Sequence, residues 1–454
     1  MRVPRAVLDQ HFSEKKPSIT VLVPSYSEET QVIRKTLISA ALQEYPDMRV
    51  VLLIDDNASK VSGADLKRLE ATRELGKQIE ALFSKPLERF QNALAHVESL
   101  NEEKTAAVSE AILEIAAHYI WAAEWLDSTA EKEVIEDHVD VFFADQVLCE
   151  LAKDLRLVGK ALIASHREGV QFSFERMLQL QRRLVSIFTA KLETFERKQY
   201  FSLSHEPNKA MNLNSYIGLM GGMYRKDETA EGIVLIKTDK KSKQNLTVPD
   251  SEFVLTLDAD SILLREYCLR LVYFLEQPDN ADVAVAQTPY SSFRGASTRI
   301  ERLSGATTDI QHILHQGMSY YGATFWVGAN AVIRKRALED IVEKEWVGGF
   351  EVKRYVQDRT VIEDTESSID LAFKGWRLIN YPERLSYSAT PPDFGSLVIQ
   401  RRRWANGDLL ILPKLFRLLR ERAHKGKPMS KSSSWSGLTI WPQSPGPISD
   451  SYFS

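Results

Sequence analysis

The sequence contains only two cysteines, Cys149 and Cys268, in 454 residues. Two cysteines are too few for a disulfide framework, so the composition favours a reducing compartment. The formal net charge of -4 is also small for this length. A near-balanced charge argues against a broad nucleic-acid-binding surface.

Long apolar segments are missing as well. The N-terminal stretch MRVPRAVLDQHFSEKKP lacks the apolar core of a signal peptide, and no run approaches the roughly 18 apolar residues of a membrane-spanning helix. With no sign of secretion, we predict that the NLT sequon at Asn245 is not used. Glycine is absent from the first strand-to-helix turn, VPSYSEE, so a dinucleotide-dependent oxidoreductase is a poor fit.

What is present is an α/β pattern. Residues 19–23 form a short continuous apolar run, helical spacing follows Glu28, and MRVVLLI is a second apolar run that ends at Asp55 and Asp56. Strand, helix and strand in this order predict a parallel sheet. Such sheets bind ligands beyond the carboxyl ends of their strands, where these two acids are expected to lie.

The middle of the chain has a different pattern. Residues 61–200 show apolar positions at helical spacing, little glycine and no strand signal, which predicts an all-helical insertion with its own core. We expect Pro86 to interrupt its first helix, and residues 136–140 (EDHVD) to form a solvated face. A partner-binding role for this insertion is the alternative. Strand-like runs return at 282–289 and 324–333.

In the stretch FVLTLDADSIL, an apolar strand is followed directly by two acidic residues, Asp258 and Asp260. Residues two apart in a strand point to one face, so the two like charges would repel by about 3 kcal/mol at about 5 Å and an effective dielectric constant near 20. A divalent cation removes this cost, and Mg²⁺ typically takes one or two carboxylates plus substrate phosphate oxygens. The pair therefore indicates half of a metal site; accidental acids in a solvated loop are the alternative.

Two further clusters follow. Glu363, Asp364 and Glu366 precede a helix that ends at Gly375, where helix capping is a rival explanation for the acids. IQRRRWANGD then carries three consecutive arginines, of which at least one should point inward, beside Trp404. Arginine suits a diphosphate, whereas a solvated basic helix end would not explain the tryptophan.

Together these motifs resemble family 2 glycosyltransferases of the processive, cellulose-synthase and hyaluronan-synthase kind. IDDNAS, DAD (258–260), IED (362–364) and QRRRW (400–404) stand in the family's order, and VPSYSEE, NKAMNLN, AQTP, FWVGANAVIRKRAL and the GGFEVKRYVQDRTVIEDTE approach are lesser matches. The resemblance covers roughly residues 17–60 and 205–420. It implies an α/β GT-A (Rossmann-like) fold, a UDP-sugar donor, a glycan acceptor, and Mg²⁺ or Mn²⁺.

The resemblance also implies roles for individual residues, with Asp364 as the general base that deprotonates the acceptor hydroxyl and Asp260 as the metal ligand. The residues expected to contact UDP are Ser25, Glu28, Asp55, Asp56, Lys209 and Asp258. Those expected to hold the leaving diphosphate and the acceptor are Gln400, Arg403, Trp404 and Gly328, with Trp404 as a stacking platform. Transfer with inversion needs such a base and charge stabilisation on the departing phosphate.

The expected domains are a lead at 1–16, a discontinuous catalytic domain at 17–60 and 201–405, the helical insertion at 61–200, an amphipathic helix at 406–424 and a disordered tail at 425–454. Processive relatives carry membrane helices after the QxxRW motif, which this chain lacks. We therefore expect either part of a longer membrane enzyme or a divergent form, located at the cytoplasmic face of a membrane.

The chain departs from the family pattern at several positions. Ile362 replaces the threonine of TED, Met211 the glycine of KAGN, Val327 a cysteine and Ala329 a serine. The two changes in the acceptor segment leave acceptor preference open.

Two other functions stay open. DAD also resembles the motif of haloacid-dehalogenase-like Mg²⁺-dependent phosphatases, although that family places it near the N-terminus and does not explain QRRRW. A non-catalytic sugar-nucleotide-binding or scaffold protein is the other alternative. His312 and His315 lie one helical turn apart, but without a third ligand they are expected to be packed helix residues.

Overall fold

A computed structural model of the chain describes residues 2–57, 62–99, 105–328, 330–360 and 362–424. The predicted disorder of 425–454 falls outside these residues.

The described residues contain a seven-stranded central sheet. Its strands, in spatial order, are β14 (Arg377–Asn380), β9 (Val283–Gln287), β11 (Asn330–Arg334), β7 (Phe253–Leu257), β1 (Ile19–Ser25), β2 (Met48–Ile54) and β3 (Leu192–Phe195). All neighbours pair in parallel except β11, which runs antiparallel to both β7 and β9. The carboxyl ends of β1, β2 and β7 therefore lie along one edge of the sheet.

Both faces of the sheet are buried, which explains the continuous apolar runs of its strands. Val21 and Val23 of β1 pack into one core with α2, α9 and the helical insertion, whereas Leu22 packs into a second core on the opposite face with α8, α11 and α12. The helices are α1 (Arg5–Glu14), α2 (Thr30–Ala41), α3 (Ala64–Ser99), α4 (Thr105–Ala130), α5 (His138–Phe142), α6 (Glu150–Arg167), α7 (Phe174–Phe188), α8 (Lys209–Ile217), α9 (Tyr267–Glu276), α10 (Arg299–Tyr320), α11 (Lys335–Asp340), α12 (Glu363–Phe373) and α13 (Phe394–His424).

Three smaller sheets surround the central one. They are β10 (Tyr290–Ser292) with β15 (Ser386–Ser388) and β8 (Ser261–Leu263); β5 (Gly232–Lys237) with β4 (Gly222–Thr229) and β6 (Leu246–Val248); and the hairpin of β12 (Glu343–Val347) and β13 (Phe350–Arg354). The first of these sheets continues directly from the DAD turn, because β8 begins at the residue after Asp260.

The helical insertion differs from the prediction at its end. Helices α3 to α7 pack around a shared apolar core, but residues 192–195 form β3, which pairs with β2 at the edge of the central sheet. The expectation of no strand within 61–200 is therefore wrong. LETF is a four-residue edge strand, too short to show a periodic pattern.

Two local expectations in this segment are also wrong. Pro86 lies inside one continuous helix, where Phe83 and Phe90 on either side both pack against Phe188 of α7. This packing holds the helix together despite the backbone hydrogen bond that proline removes. The expectation of a solvated face at 136–140 is wrong for Asp140, whose carboxylate is buried in an ion pair with Lys35, whereas Glu136 and Asp137 are exposed as predicted.

One predicted strand boundary and one predicted helix boundary also differ from those in the structure. Within the predicted strand at 324–333, pairing begins only at Asn330, after Gly328 adopts a left-handed backbone with φ of +73°. The predicted boundary at 405/406 is absent, since α13 runs without a break through both the QRRRW motif and the apolar segment behind it.

Candidate active site

The DAD segment forms a turn at the end of β7, and its two carboxylates enter one cleft. Lys209, the first residue of α8, donates hydrogen bonds to the Asp258 carboxylate and, over 3.0 Å, to the Gly328 carbonyl. No hydrogen bond or ion pair joins Asp260 to a cation within the described residues. Burial together with the neighbouring Asp258 charge raises its pKa to about 7. The two acids are therefore close in space but electrostatically different.

Asp364 lies in the first turn of α12, facing Gly328. A Cβ atom on Gly328 would lie 2.5 Å from the Asp364 Oδ2 atom, so any other residue here would displace the carboxylate, and the positive φ also favours glycine. Burial, followed by the Glu363 charge, raises the pKa of Asp364 to about 7. Asp364 also has a local structural role at the start of the helix, because its Oδ1 atom accepts a hydrogen bond of 2.7 Å from the Thr365 backbone N–H.

Glu366, the third acid of this cluster, has a structural role instead. Its carboxylate accepts hydrogen bonds from Lys414 over 3.0 Å and from Thr360 over 3.2 Å. Lys414 also binds Asp370, and so fastens α13 to α12.

Helix α13 carries Gln400, Arg403 and Trp404 to the same cleft. The arginine that turns inward is Arg401: it donates to Thr307 over 2.9 Å, and its guanidinium carbon lies 4.6 Å from the centre of the Trp404 ring. One face of the tryptophan is thus covered, and a sugar could stack only against the other.

These residues converge on one cleft of about 250 Å³. It brings together predicted residues from five separate parts of the chain: Lys209, Asp258, Asp260, Gly328, Asp364, Gln400, Arg403 and Trp404. It also includes residues that the motifs did not predict, among them Tyr290, Gln311 and His312. The last two lie on α10, where the only sequence signal was the spacing of His312 and His315, which was interpreted as helix packing.

The predicted uridine-binding residues do not line this cleft; they lie at the carboxyl ends of β1 and β2, and β1 is next to β7 in the sheet. Ser25, at the end of β1, donates to Glu28 over 2.8 Å, and Ser27 donates to Asp56 through its backbone N–H over 3.2 Å. Burial raises the pKa of Glu28, and the charge of Glu28 contributes to the raised pKa of Asp260. The two groups of carboxylates are therefore electrostatically coupled.

Asp55 differs from its neighbour Asp56. Its carboxylate binds the fully buried Arg197 guanidinium through two hydrogen bonds of 2.6 and 3.0 Å, and Lys198 lies 3.2 Å away. These contacts hold the loop after β2 against the segment after β3. No motif pointed to Arg197, because it lies 142 residues from Asp55 in the chain.

The carboxylates suit a hard cation that completes its shell with substrate. Within the described ranges, no group of three or more His, Cys, Asp or Glu side chains could enclose a metal. Asp258 and Asp260 are two carboxylates at one cleft, so a cation such as Mg²⁺ would need further ligands there, for example phosphate oxygens of a substrate. In the same ranges, no helix has the length and hydropathy needed to cross a bilayer.

Comparison with known proteins supports the resemblance. Residues 253–445 match the family model for glycosyl transferase family group 2. A UDP-forming cellulose synthase catalytic chain of Dictyostelium discoideum is 21% identical over 466 residues, covering 87% of this chain and 41% of that protein. Glucomannan 4-beta-mannosyltransferase 1 of Oryza sativa subsp. japonica is 24% identical over 178 residues, covering 39% of this chain and 32% of that protein.

Among solved structures, the mannosyltransferase PcManGT from Pyrobaculum calidifontis, in complex with GDP-Man and Mn²⁺, aligns with a TM-score of 0.40 at 13% identity. That alignment covers 95% of this chain and 78% of PcManGT. The chain spans less than half the length of the cellulose synthase and the glucomannan mannosyltransferase that it matches.

The predicted α/β fold with a central sheet is confirmed. The match over residues 253–445 agrees with the predicted resemblance to family 2 glycosyltransferases. The family match does not support the phosphatase alternative.

Proposed function

We propose that this protein is an inverting, metal-dependent glycosyltransferase that moves a sugar from a UDP-sugar to a growing polysaccharide or another glycan acceptor. The observation that carries the proposal is the single cleft shared by the DAD acids, Asp364 and the Gln400–Arg403–Trp404 group. Each part alone has a structural explanation, but packing alone does not require all of them to face one cleft.

In this proposal the residues divide the work by their surroundings. Ser25, Glu28 and Asp56 bind the uridine, and Asp55 holds their loop through Arg197. Lys209 and Asp258 lie against the diphosphate, and Asp260 holds Mg²⁺ or Mn²⁺. The cation would neutralise charge on the diphosphate.

The acceptor is activated from the other side of the cleft. Asp364, whose pKa is raised to about 7, takes a proton from the attacking hydroxyl. Gln400 and Arg403 contact the departing diphosphate, and the free face of Trp404 supports the acceptor sugar. A base with a pKa near neutrality combines basicity with a large deprotonated fraction.

Thermal-shift titration tests the nucleotide. UDP with Mg²⁺ or Mn²⁺ should raise the melting temperature, because a ligand that binds only the folded state stabilises it. NADH, simple phosphate esters, GDP and UDP without metal are the controls, and their shifts should be smaller. No response to UDP in the presence of metal would contradict the proposal.

We also propose that the protein works at the cytoplasmic face of a membrane. Support comes from apolar side chains exposed on α10 and α13, which contact each other through Arg401 and Thr307. The exposed residues are Leu303, Ile310, Ile313, Leu314, Phe394, Val398, Ile399, Leu409, Leu410 and Phe416. Exposed arginines on the same α13 helix, Arg402, Arg417 and Arg420, suit an anionic lipid surface.

A further inference from the structure

His312 is a buried side chain in the cleft that the proposed mechanism does not use. It lies on α10, is only 2% exposed, and lines the same cleft as Asp364, Gln400 and Trp404. Among the described residues, neither of its ring nitrogens has a hydrogen-bond partner. Buried polar groups are usually paired, so a histidine with two unpaired nitrogens at a ligand cleft calls for an explanation.

Packing explains the position of the ring but not its polarity. The Tyr290 ring meets His312 edge-on with centroids 4.7 Å apart, and the centre of the His315 ring lies 5.8 Å from that of His312. Both contacts would be made equally well by an apolar ring. The sequence expectation of a packed helix histidine therefore explains where the ring lies but not why a polar ring is buried there.

The charge state of the ring limits what it can bind. Burial, followed by the charges of His315 and Arg384, lowers the pKa of His312 to about 3. The ring is therefore neutral at physiological pH, with one nitrogen as donor and the other as acceptor. A neutral donor–acceptor pair matches a hydroxyl group, which also donates and accepts, better than it matches a phosphate.

Resting on the proposed function, we infer that His312 binds a sugar hydroxyl in the cleft and contributes to sugar selection. The hydroxyl belongs either to the acceptor or to the transferred sugar of the donor. A site that hydrogen-bonds a hydroxyl discriminates strongly against ligands that lack it, because its own polar atoms are then left unpaired.

His315 provides a matched control on the same helix. It is 3% exposed, has an unpaired Nδ1 atom and packs against Phe325 at 4.3 Å, yet it is not one of the residues lining the cleft. Replacing either histidine by leucine removes a buried imidazole of similar volume. Only the change at position 312 should alter sugar binding.

The experiment measures Kd by calorimetry for the wild type, His312→Leu, His312→Gln and His315→Leu. The acceptor arm titrates cellobiose or N-acetylglucosamine, with and without UDP and Mg²⁺; the donor arm compares UDP-glucose and UDP-N-acetylglucosamine with UDP alone. We expect His312→Leu to weaken one arm about tenfold while UDP affinity is unchanged, since roughly one hydrogen bond is lost. His312→Gln, which keeps a donor and an acceptor, should retain more of the affinity than His312→Leu.

Two results would overturn the inference: equal loss in His312→Leu and His315→Leu, or no sugar-dependent difference in either arm. Melting temperatures of both leucine variants separate binding from folding. Failure of the proposed function has a different signature, because the wild type would then not bind UDP. In that case the titrations with free sugar would still decide the role of His312.

Discussion

The acids of the cleft show how surroundings give identical side chains different roles. Asp258 is held by Lys209, whereas burial raises the pKa of Asp260 and Asp364 to about 7. Carboxyl groups whose pKa values are strongly raised by burial in a cleft are typical of functional sites. Such differences depend on atoms distant in sequence, so the motifs could identify the acids but not their pKa values.

The first prediction concerns Asp364. Asp364→Asn should retain UDP affinity within a factor of about three, yet reduce sugar transfer by about 10²–10⁴-fold, the usual contribution of a general base. UDP binding by calorimetry and transfer from radiolabelled UDP-sugar measure the two effects. An equal loss of both would show that Asp364 holds the nucleotide instead.

The same residue fixes the pH dependence of the reaction. A base acts when deprotonated, so kcat should rise with pH and level off above about pH 7, where Asp364 is ionised. Stability should change with pH in the opposite direction. The pKa of Asp364 is higher in the folded protein than in the unfolded chain, so its contribution to the free energy of unfolding falls as pH rises from about 4 to about 7. Asp364→Asn should therefore raise the melting temperature more at pH 8 than at pH 4.

The second prediction concerns Gly328. Gly328→Ala adds a Cβ atom 2.5 Å from Asp364 Oδ2, so the carboxylate must move and transfer should fall by tenfold or more. Gly322→Ala is the control, because Gly322 also has a positive φ, of +64°, but open space around its Cβ position. Both variants should lose about 1 kcal/mol of stability from backbone strain. If the two lost transfer equally, strain alone would be the cause.

At the scale of helices and strands, the sequence pattern predicted the elements whose structure depends on residues close together in the chain. β1, β2 and β7 are continuous apolar runs ending in polar residues, and all three were predicted. β3 was missed because it is four residues long and becomes a strand only by pairing with β2. The unbroken α13 was missed because the predicted boundary at 405/406 was placed directly after the QRRRW motif. In the structure one helix spans this position, and Lys414 binds Glu366 and Asp370 of α12.

The third prediction tests the position of α13. A Cβ atom on Gly407 would lie 2.7 to 3.0 Å from the Ile362 side chain, which immediately precedes α12. Gly407→Ala should therefore shift α13 and reduce acceptor use at least several-fold. UDP affinity should fall less, because Gln400 and Arg403 are the only residues of α13 assigned to the diphosphate.

The control for this variant is Gly317→Ala, within α10, where the added methyl group meets nothing within 4 Å. It should be neutral or stabilising by up to about 1 kcal/mol, from helix propensity. Chemical denaturation and acceptor KM measure the two effects. An active, stabilised Gly407→Ala protein would show that the contact with Ile362 is not tight.

At the scale of the whole molecule, the cleft and the exposed apolar faces share helices α10 and α13. The fourth prediction is that the protein sediments with vesicles containing phosphatidylserine and less with neutral vesicles or at high salt. Leu409→Glu with Leu410→Glu should reduce sedimentation several-fold at unchanged UDP affinity. Leu157→Glu, an equally exposed leucine on α6, is the control, and equal loss in that variant would argue against a specific surface.

The edge strand β3 also changes how the large helical segment should be viewed. Because β2 and β3 are parallel neighbours, residues 55–191 amount to one oversized crossover loop whose two ends meet side by side. Asp55 is the first residue of this segment and Arg197 lies just after β3, and the two residues form a buried ion pair. A change in the size of this segment need not disturb the cleft, provided that the ion pair between Asp55 and Arg197 still forms.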